Sequence, residues 1–312
     1  MLNIFKAIII GILLIIINNS YVNKVSIEKV LSKKIILIGE HHFFTKNDSI
    51  QFSIIKTAIQ RTKFKKTILL LERSIGLEYF IATKDSVELK KYFIYSKDRR
   101  FTNDSLSILN NMYYGFIKYI IKLQSENQNL EIRCIDVNHK QRPIYYILYL
   151  FSEKYNIIPR HLKDTLAVKL NSESLVLKDT IIFDSFRKFY FDNIHILKEQ
   201  MEATDYQYLS KIINTPFAFN LNYSPRKRDV FMFNNIKEKC TKDNLLIYVG
   251  GNSHVAINQK DNLYNLCKKE FNTLFSKKVS SIGIAPNLES VKYFNLKYDY
   301  QIISNGKLVW KL

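Results

Sequence analysis

The sequence predicts an α/β protein, with a central, mainly parallel β-sheet, helices on both faces, a C-terminal antiparallel hairpin and a helical insertion. Three observations predict it. Short, nearly continuous apolar runs recur along the chain, stretches with helical spacing separate them, and the order is strand, helix, strand, helix. Such an order implies right-handed crossovers between parallel strands.

The strands are expected at residues 34–39 (KIILIG), 67–72 (TILLLE), 130–137 (LEIRCIDV), 244–250 (NLLIYVG) and 280–285 (SSIGIA). All are rich in Ile, Leu or Val, as strands buried on both faces are. Helical spacing appears at 49–62, where Ile50, Ile54, Ile55 and Ile59 make one stripe, and again at 105–124 and 226–240. Residues from about 142 to 240 read as helix almost throughout, with breaks near Pro159 and Pro216, a length too great for one crossover. From Tyr298 to Leu312, Asn305-Gly306 separates two alternating runs and signals a hairpin.

With 47% apolar residues in 312, the chain can bury a substantial core. No Gly/Ser- or Pro-rich linker divides it, so residues 21–312 read as a single domain containing the insertion. The net charge of +19 would suit a polyanion partner, but Lys and Arg come as pairs and short groups flanking apolar runs, and no nucleic-acid module is present. No nucleic-acid partner is expected. Cys134, Cys240 and Cys267 are odd in number and lack CxxC spacing, which excludes a disulfide framework or zinc knuckle.

At the N-terminus, Lys6 precedes an apolar run from Ala7 to Ile17, followed by Asn18, Asn19 and Ser20. That run is too short for a hydrocarbon core of about 30 Å, so residues 1–20 read as a signal peptide or, uncleaved, as an N-terminal anchor. The protein is expected to be exported, to a periplasm, the cell surface or the medium, with membrane association only through that segment.

In an open parallel sheet, ligands bind beyond the carboxyl ends of the strands. There the first strand delivers Gly39-Glu40-His41-His42, the second Glu72-Arg73, the third Asp136 with His139 soon after, and the fourth Gly250-Gly251-Asn252-Ser253-His254. Two Gly-x-x-His turns, Gly39 to His42 and Gly251 to His254, repeat one device: a glycine that lets the backbone bend closely, then an imidazole that titrates near neutrality or ligates a metal. Carboxylates beside an imidazole can orient it, ligate with it or act as a base. Arg228, Met232 and Asn235 share one helix face; Met232 belongs to the core, and an inward Arg228 needs a carboxylate from Glu40, Glu72 or Asp136.

IILIGEHH at 35–42, LLLE at 69–72, YVGGNSHV at 248–255 and the spacing of Arg228, Met232 and Asn235 resemble the erythromycin-esterase-like proteins, with the haem-binding ChaN and the TraB/TIKI groups. The resemblance covers the strands, about half of the chain. It implies a hydrolase of an ester, lactone or amide, acting on a small molecule or peptide, with Glu40, His42, Glu72, His254, Arg228 and Asp136 as catalytic residues. The TIKI likeness implies a divalent metal, Zn, Mn or Co, on His42, His254 and Glu72. The ChaN likeness implies instead a non-catalytic haem or iron binder, with Phe43, Phe44 and the helix around Tyr113-Tyr114 lining the slot. Phe43-Phe44-Thr45, where the esterases carry small residues, and the bulky Arg73 imply a reshaped substrate cleft.

Overall fold

The computed structural model describes residues 30, 32–40, 47–96, 104–138, 141–171, 180–217, 224–275, 279–285, 296–303 and 308–311. It is an α/β fold. Strand β1 (Ile35–Glu40) leads to helix α1 (Asn47–Arg61) and β2 (Lys66–Ser74). Helices α2 (Ile75–Thr83), α3 (Ser86–Tyr95) and α4 (Asp104–Glu126) precede β3 (Leu130–Asp136). Six helices then follow among the described residues: α5 (Gln141–Lys154), α6 (Arg160–Asn171), α7 (Ile181–Asp192), α8 (Ile194–Gln200), α9 (Ala203–Asn214) and α10 (Pro225–Lys239). The chain continues through β4 (Asn244–Gly251), the short α11 (Asn252–Val255), α12 (Leu263–Phe275), β5 (Val279–Ala285), β6 (Tyr300–Ile303) and β7 (Leu308–Lys311).

The chain forms two compact units, residues 1–68 with 239–312, and Leu69–Glu238. In the first, β1 lies between β4 and β5 and is parallel to both, with Ile35 opposite Leu246 on one side and Val279 on the other. β6 joins β5 in parallel, and β7 pairs with β6 antiparallel, Tyr300 against Lys311. The turn residues Asn305 and Gly306 lie outside the described residues. Ile35, Ile36, Leu37 and Ile38 are all buried, which is why β1 reads as an unbroken apolar run. α1 buries a line of Gln51, Ile55 and Ala58, so a glutamine occupies a position on the inward stripe.

In the second unit, β2 and β3 are neighbours. β2 runs to Ser74, two residues beyond the expected end at Glu72. Two buried carboxylates tie its helices together. Glu78 of α2 accepts hydrogen bonds from Arg133 Nη1 (2.9 Å), the backbone N–H of Cys134 (2.7 Å), Tyr208 Oη (3.2 Å) and Lys211 Nζ (3.2 Å). Asp205 of α9 accepts from Tyr155 Oη (2.6 Å), Lys154 Nζ (2.9 Å) and Tyr79 Oη (3.1 Å). A buried acid is tolerable only when so surrounded by donors. Among the described residues, no helix is long and apolar enough to cross a membrane, and the expected leader, residues 1–20, lies outside them. All three cysteines are free.

Candidate functional site

In the first unit, parallel pairing sets Gly39 opposite Gly250 and Glu40 opposite Gly251, so β1 and β4 end together. The chain then turns at Gly251 into α11, whose third residue is His254. Glu40 and His254 are both buried, 2% and 6% exposed, at the ends of neighbouring strands. Gly39 makes this approach feasible. A Cβ there would stand 2.4 Å from Val255 Cγ2 and 2.6 Å from Asn252 Oδ1, so only glycine lets α11 settle on β1. Asn262 fixes the far side of the turn, its Nδ2 donating to the carbonyls of Ser253 (2.9 Å) and Ala256 (2.7 Å).

Glu40 Oε2 accepts a hydrogen bond from Gln51 Nε2 at 2.8 Å. Gln51, 1% exposed, is a buried partner of Glu40 that sequence reasoning missed. Its signal was present, since the phase of the α1 stripe puts position 51 in line with Ile55 and Ala58; a search for apolar residues passes over it. His42, with Phe43, Phe44 and His139, lies outside the described residues.

In the second unit, the carboxylates of Glu72 on β2 and Asp136 at the end of β3 converge on one guanidinium. Arg228, in the first turn of α10, donates from Nε to Asp136 Oδ1 (2.8 Å) and from Nη2 to Asp136 Oδ2 (2.6 Å), a two-pronged grip, and Nη2 also reaches Glu72 Oε1. The side chain of Asp136 is 1% exposed, that of Glu72 6% and that of Arg228 21%. The carboxylate partners required by an inward Arg228 are therefore Glu72 and Asp136. The backbone N–H of Val137 donates a further bond to Asp136 Oδ1 (2.8 Å). Met232 and Ile236 are fully buried on the same helix, and Asn235 Nδ2 donates to the carbonyl of Phe231 (3.0 Å), within its own helix, and to that of Ile135 in β3 (3.4 Å). One carbonyl contact thus links α10 to the strand that carries Asp136.

Arg73 Nη1 donates to the backbone oxygen of Glu72 (2.7 Å), and its guanidinium lies 4.4 Å from the centre of the Tyr113 ring. Tyr114 packs edge-on against Phe93 at 5.7 Å. These two tyrosines, expected to line a haem slot, thus pack against side chains of the protein. Burial pushes the Cys134 thiol well above its ordinary range, helped by the negative charge of Glu78, so it stays protonated and serves no nucleophilic role.

A divalent metal was expected on His42, His254 and Glu72. Among the described residues no group of three or more His, Cys, Asp or Glu is arranged to hold one, and His42 lies outside them. Glu72 is engaged by the Arg228 guanidinium.

No family model matches the sequence, and no curated protein matches it. Solved structures similar to the chain include the following three. An erythromycin esterase variant in its open conformation is 13% identical with a TM-score of 0.47, over 82% of this chain and 71% of that one. A succinoglycan biosynthesis protein is 11% identical with a TM-score of 0.48, over 83% and 67%. ChaN of Campylobacter jejuni, described with cofacial haem binding, is 15% identical with a TM-score of 0.36, over 84% and 85%.

Proposed function

We propose that the protein is an exported hydrolase of ester, lactone or amide bonds that activates water with its Glu and His residues. The observation that supports this most is the pairing of Glu40 with Gly251, which sets a buried carboxylate and the buried imidazole of His254 at the ends of adjacent parallel strands. A carboxylate beside an imidazole holds its tautomer and stabilises the imidazolium that forms when it takes a proton. In the reaction, a histidine of the pair His42 and His254 removes a proton from water as the water oxygen bonds to the substrate carbonyl carbon. The carbonyl oxygen takes up the negative charge. When it returns its electron pair, the C–O or C–N bond breaks, and the imidazolium gives its proton to the departing alcohol or amine.

Glu72, Asp136 and Arg228, in the other unit, are proposed as a second polar group, in which one guanidinium holds both carboxylates in place. No step uses a metal. The test is turnover of a panel of p-nitrophenyl esters, a macrocyclic lactone and small peptides by wild type, His42→Ala, His254→Asn and Glu72→Gln. Turnover by wild type that falls at least ~100-fold in the histidine variants, with melting temperature little changed, supports the reading. Full turnover in these variants would sink it, as would an intense haem band in the absorbance spectrum of the protein as purified.

A further inference from the structure

Glutamine is a costly choice for the inward line of α1. A buried amide without partners loses its hydrogen bonds to water, and the neighbouring inward positions, Ile55 and Ala58, show that this face packs with apolar residues. Position 51 instead carries an amide whose Nε2 lies 2.8 Å from Glu40 Oε2, with both residues nearly inaccessible. We infer that Gln51 is a positioning residue for Glu40: it fixes the rotamer of that carboxylate at the end of β1 through a neutral donor.

The neutrality of the donor matters. Arg228 grips Asp136 and Glu72 with a full positive charge, which offsets part of their combined charge and anchors both. Gln51 orients Glu40 through an amide that itself brings no net charge. The two acidic groups are thus held by different donors, one by a guanidinium and one by a neutral amide. α1 supplies the rigidity: Gln51 lies on the same buried line as Ile55 and Ala58, so the amide cannot swing without unpacking the helix. This inference rests on the hydrolase reading for its catalytic meaning, although the contact itself can be measured without a substrate.

The first measurement is NMR of side-chain amides in 15N-labelled full-length protein. A Gln51 amide proton held by Glu40 should exchange with solvent at least ~10-fold more slowly than a free glutamine amide, the scale set by one charge-assisted hydrogen bond, and lose that protection in Glu40→Leu. Protection unchanged in Glu40→Leu, or absent from wild type, overturns the inference. The second measurement is kinetic, on whichever member of the ester, lactone and peptide panel wild type turns over. Gln51→Met keeps the shape of the side chain and removes the donor, so kcat should fall on the order of 10- to 100-fold while KM stays within about 2-fold, the mark of misplaced chemistry rather than lost binding. Gln51→Glu should recover activity towards acid pH, where its protonated carboxyl donates the same bond. A fall in melting temperature for both variants with kcat unchanged would make Gln51 a packing residue and overturn the inference. If wild type turns over no panel member, the hydrolase reading falls, and amide exchange still decides whether Gln51 holds Glu40.

Discussion

Replacing Arg228 with Met, which keeps much of the length and removes the charge, strands two carboxylates at once. Asp136 and Glu72 are 1% and 6% exposed, so water cannot supply what the guanidinium gives them. Removing one partner of a buried ion pair costs roughly 3 to 5 kcal/mol, and here the lost partner serves two acids, so the upper half of that range is expected. At about 2.1 cal/mol/K of unfolding entropy per residue, each kcal/mol shifts the melting temperature of a 312-residue chain by about 1.5 °C, so a drop of roughly 6 to 8 °C should appear in a thermal scan. Arg228→Lys should fall between the two, because an ammonium retains the charge but cannot make the two-pronged contact with Asp136. The cause is checked by a double-mutant cycle with Asp136→Asn under urea unfolding. If the two side chains act as one unit, the double variant should be more stable than the sum of the single losses by at least ~1 kcal/mol. A melting temperature for Arg228→Met within a degree or two of wild type, or additive losses in the cycle, would refute the reasoning.

Gly39→Ala should destabilise the protein by about 1–3 kcal/mol in urea unfolding, since the new methyl group overlaps Val255 and Asn252; a neutral result would show that α11 can move aside. Alkaline pH gives another test. Burial, the largest cause in each case, raises the hydroxyls of Tyr79, Tyr92, Tyr146, Tyr208, Tyr264 and Tyr298 above their ordinary value, with Asp205 adding to it at Tyr79, Glu88 at Tyr146 and Glu78 at Tyr208. The folded values exceed the unfolded value of about 10, so above that pH the unfolded chain releases protons that the folded one keeps. Stability should be unaffected by these groups below pH ~10 and fall as pH rises beyond it, with tyrosinate absorbance appearing together with unfolding. Tyrosinate appearing fully while the fold persists would contradict the burial. Fusing residues 1–30 to a reporter active only after export should yield an active reporter, and a reporter retained in the cytoplasm removes the export proposal.

Strands buried on both faces leave the plainest trace in a sequence, and β1, β3, β4 and β5 were legible to within a residue or two for that reason. The placement of Glu40, Asp136 and His254 at or just past strand ends was legible from the apolar runs, and it was their conjunction that marked them, since a single ion at a strand end is usually a surface or capping residue. Arg228 was legible from helical spacing, because an arginine in phase with Met232 has to meet an acid. Helix α2 was not. Ile75, Leu77, Phe80 and Ile81 are buried on several sides of it, so no stripe marks its period. Glu78, in the same helix, looks like a surface residue until Arg133, Tyr208 and Lys211 arrive from positions far along the chain. Gln51 escaped for the opposite reason: its place in the pattern was readable, but its polarity suggested solvent.

The position of β1 has a consequence for how the chain comes to be folded. Both of its hydrogen-bonding partners, β4 and β5, are synthesised roughly 200 residues after it. At ~5–20 residues per second, that is a delay of roughly 10 to 40 s in which IILIGE exists without either neighbour. A six-residue aliphatic segment with two bare edges is the kind of template that pairs with other chains. Residues Leu69–Glu238 are contiguous and can condense during that interval, whereas the sheet of the other unit must wait for the last quarter of the chain. The emerging β1 segment is therefore a point at which a holding chaperone that binds extended aliphatic segments is expected to raise the yield of this protein.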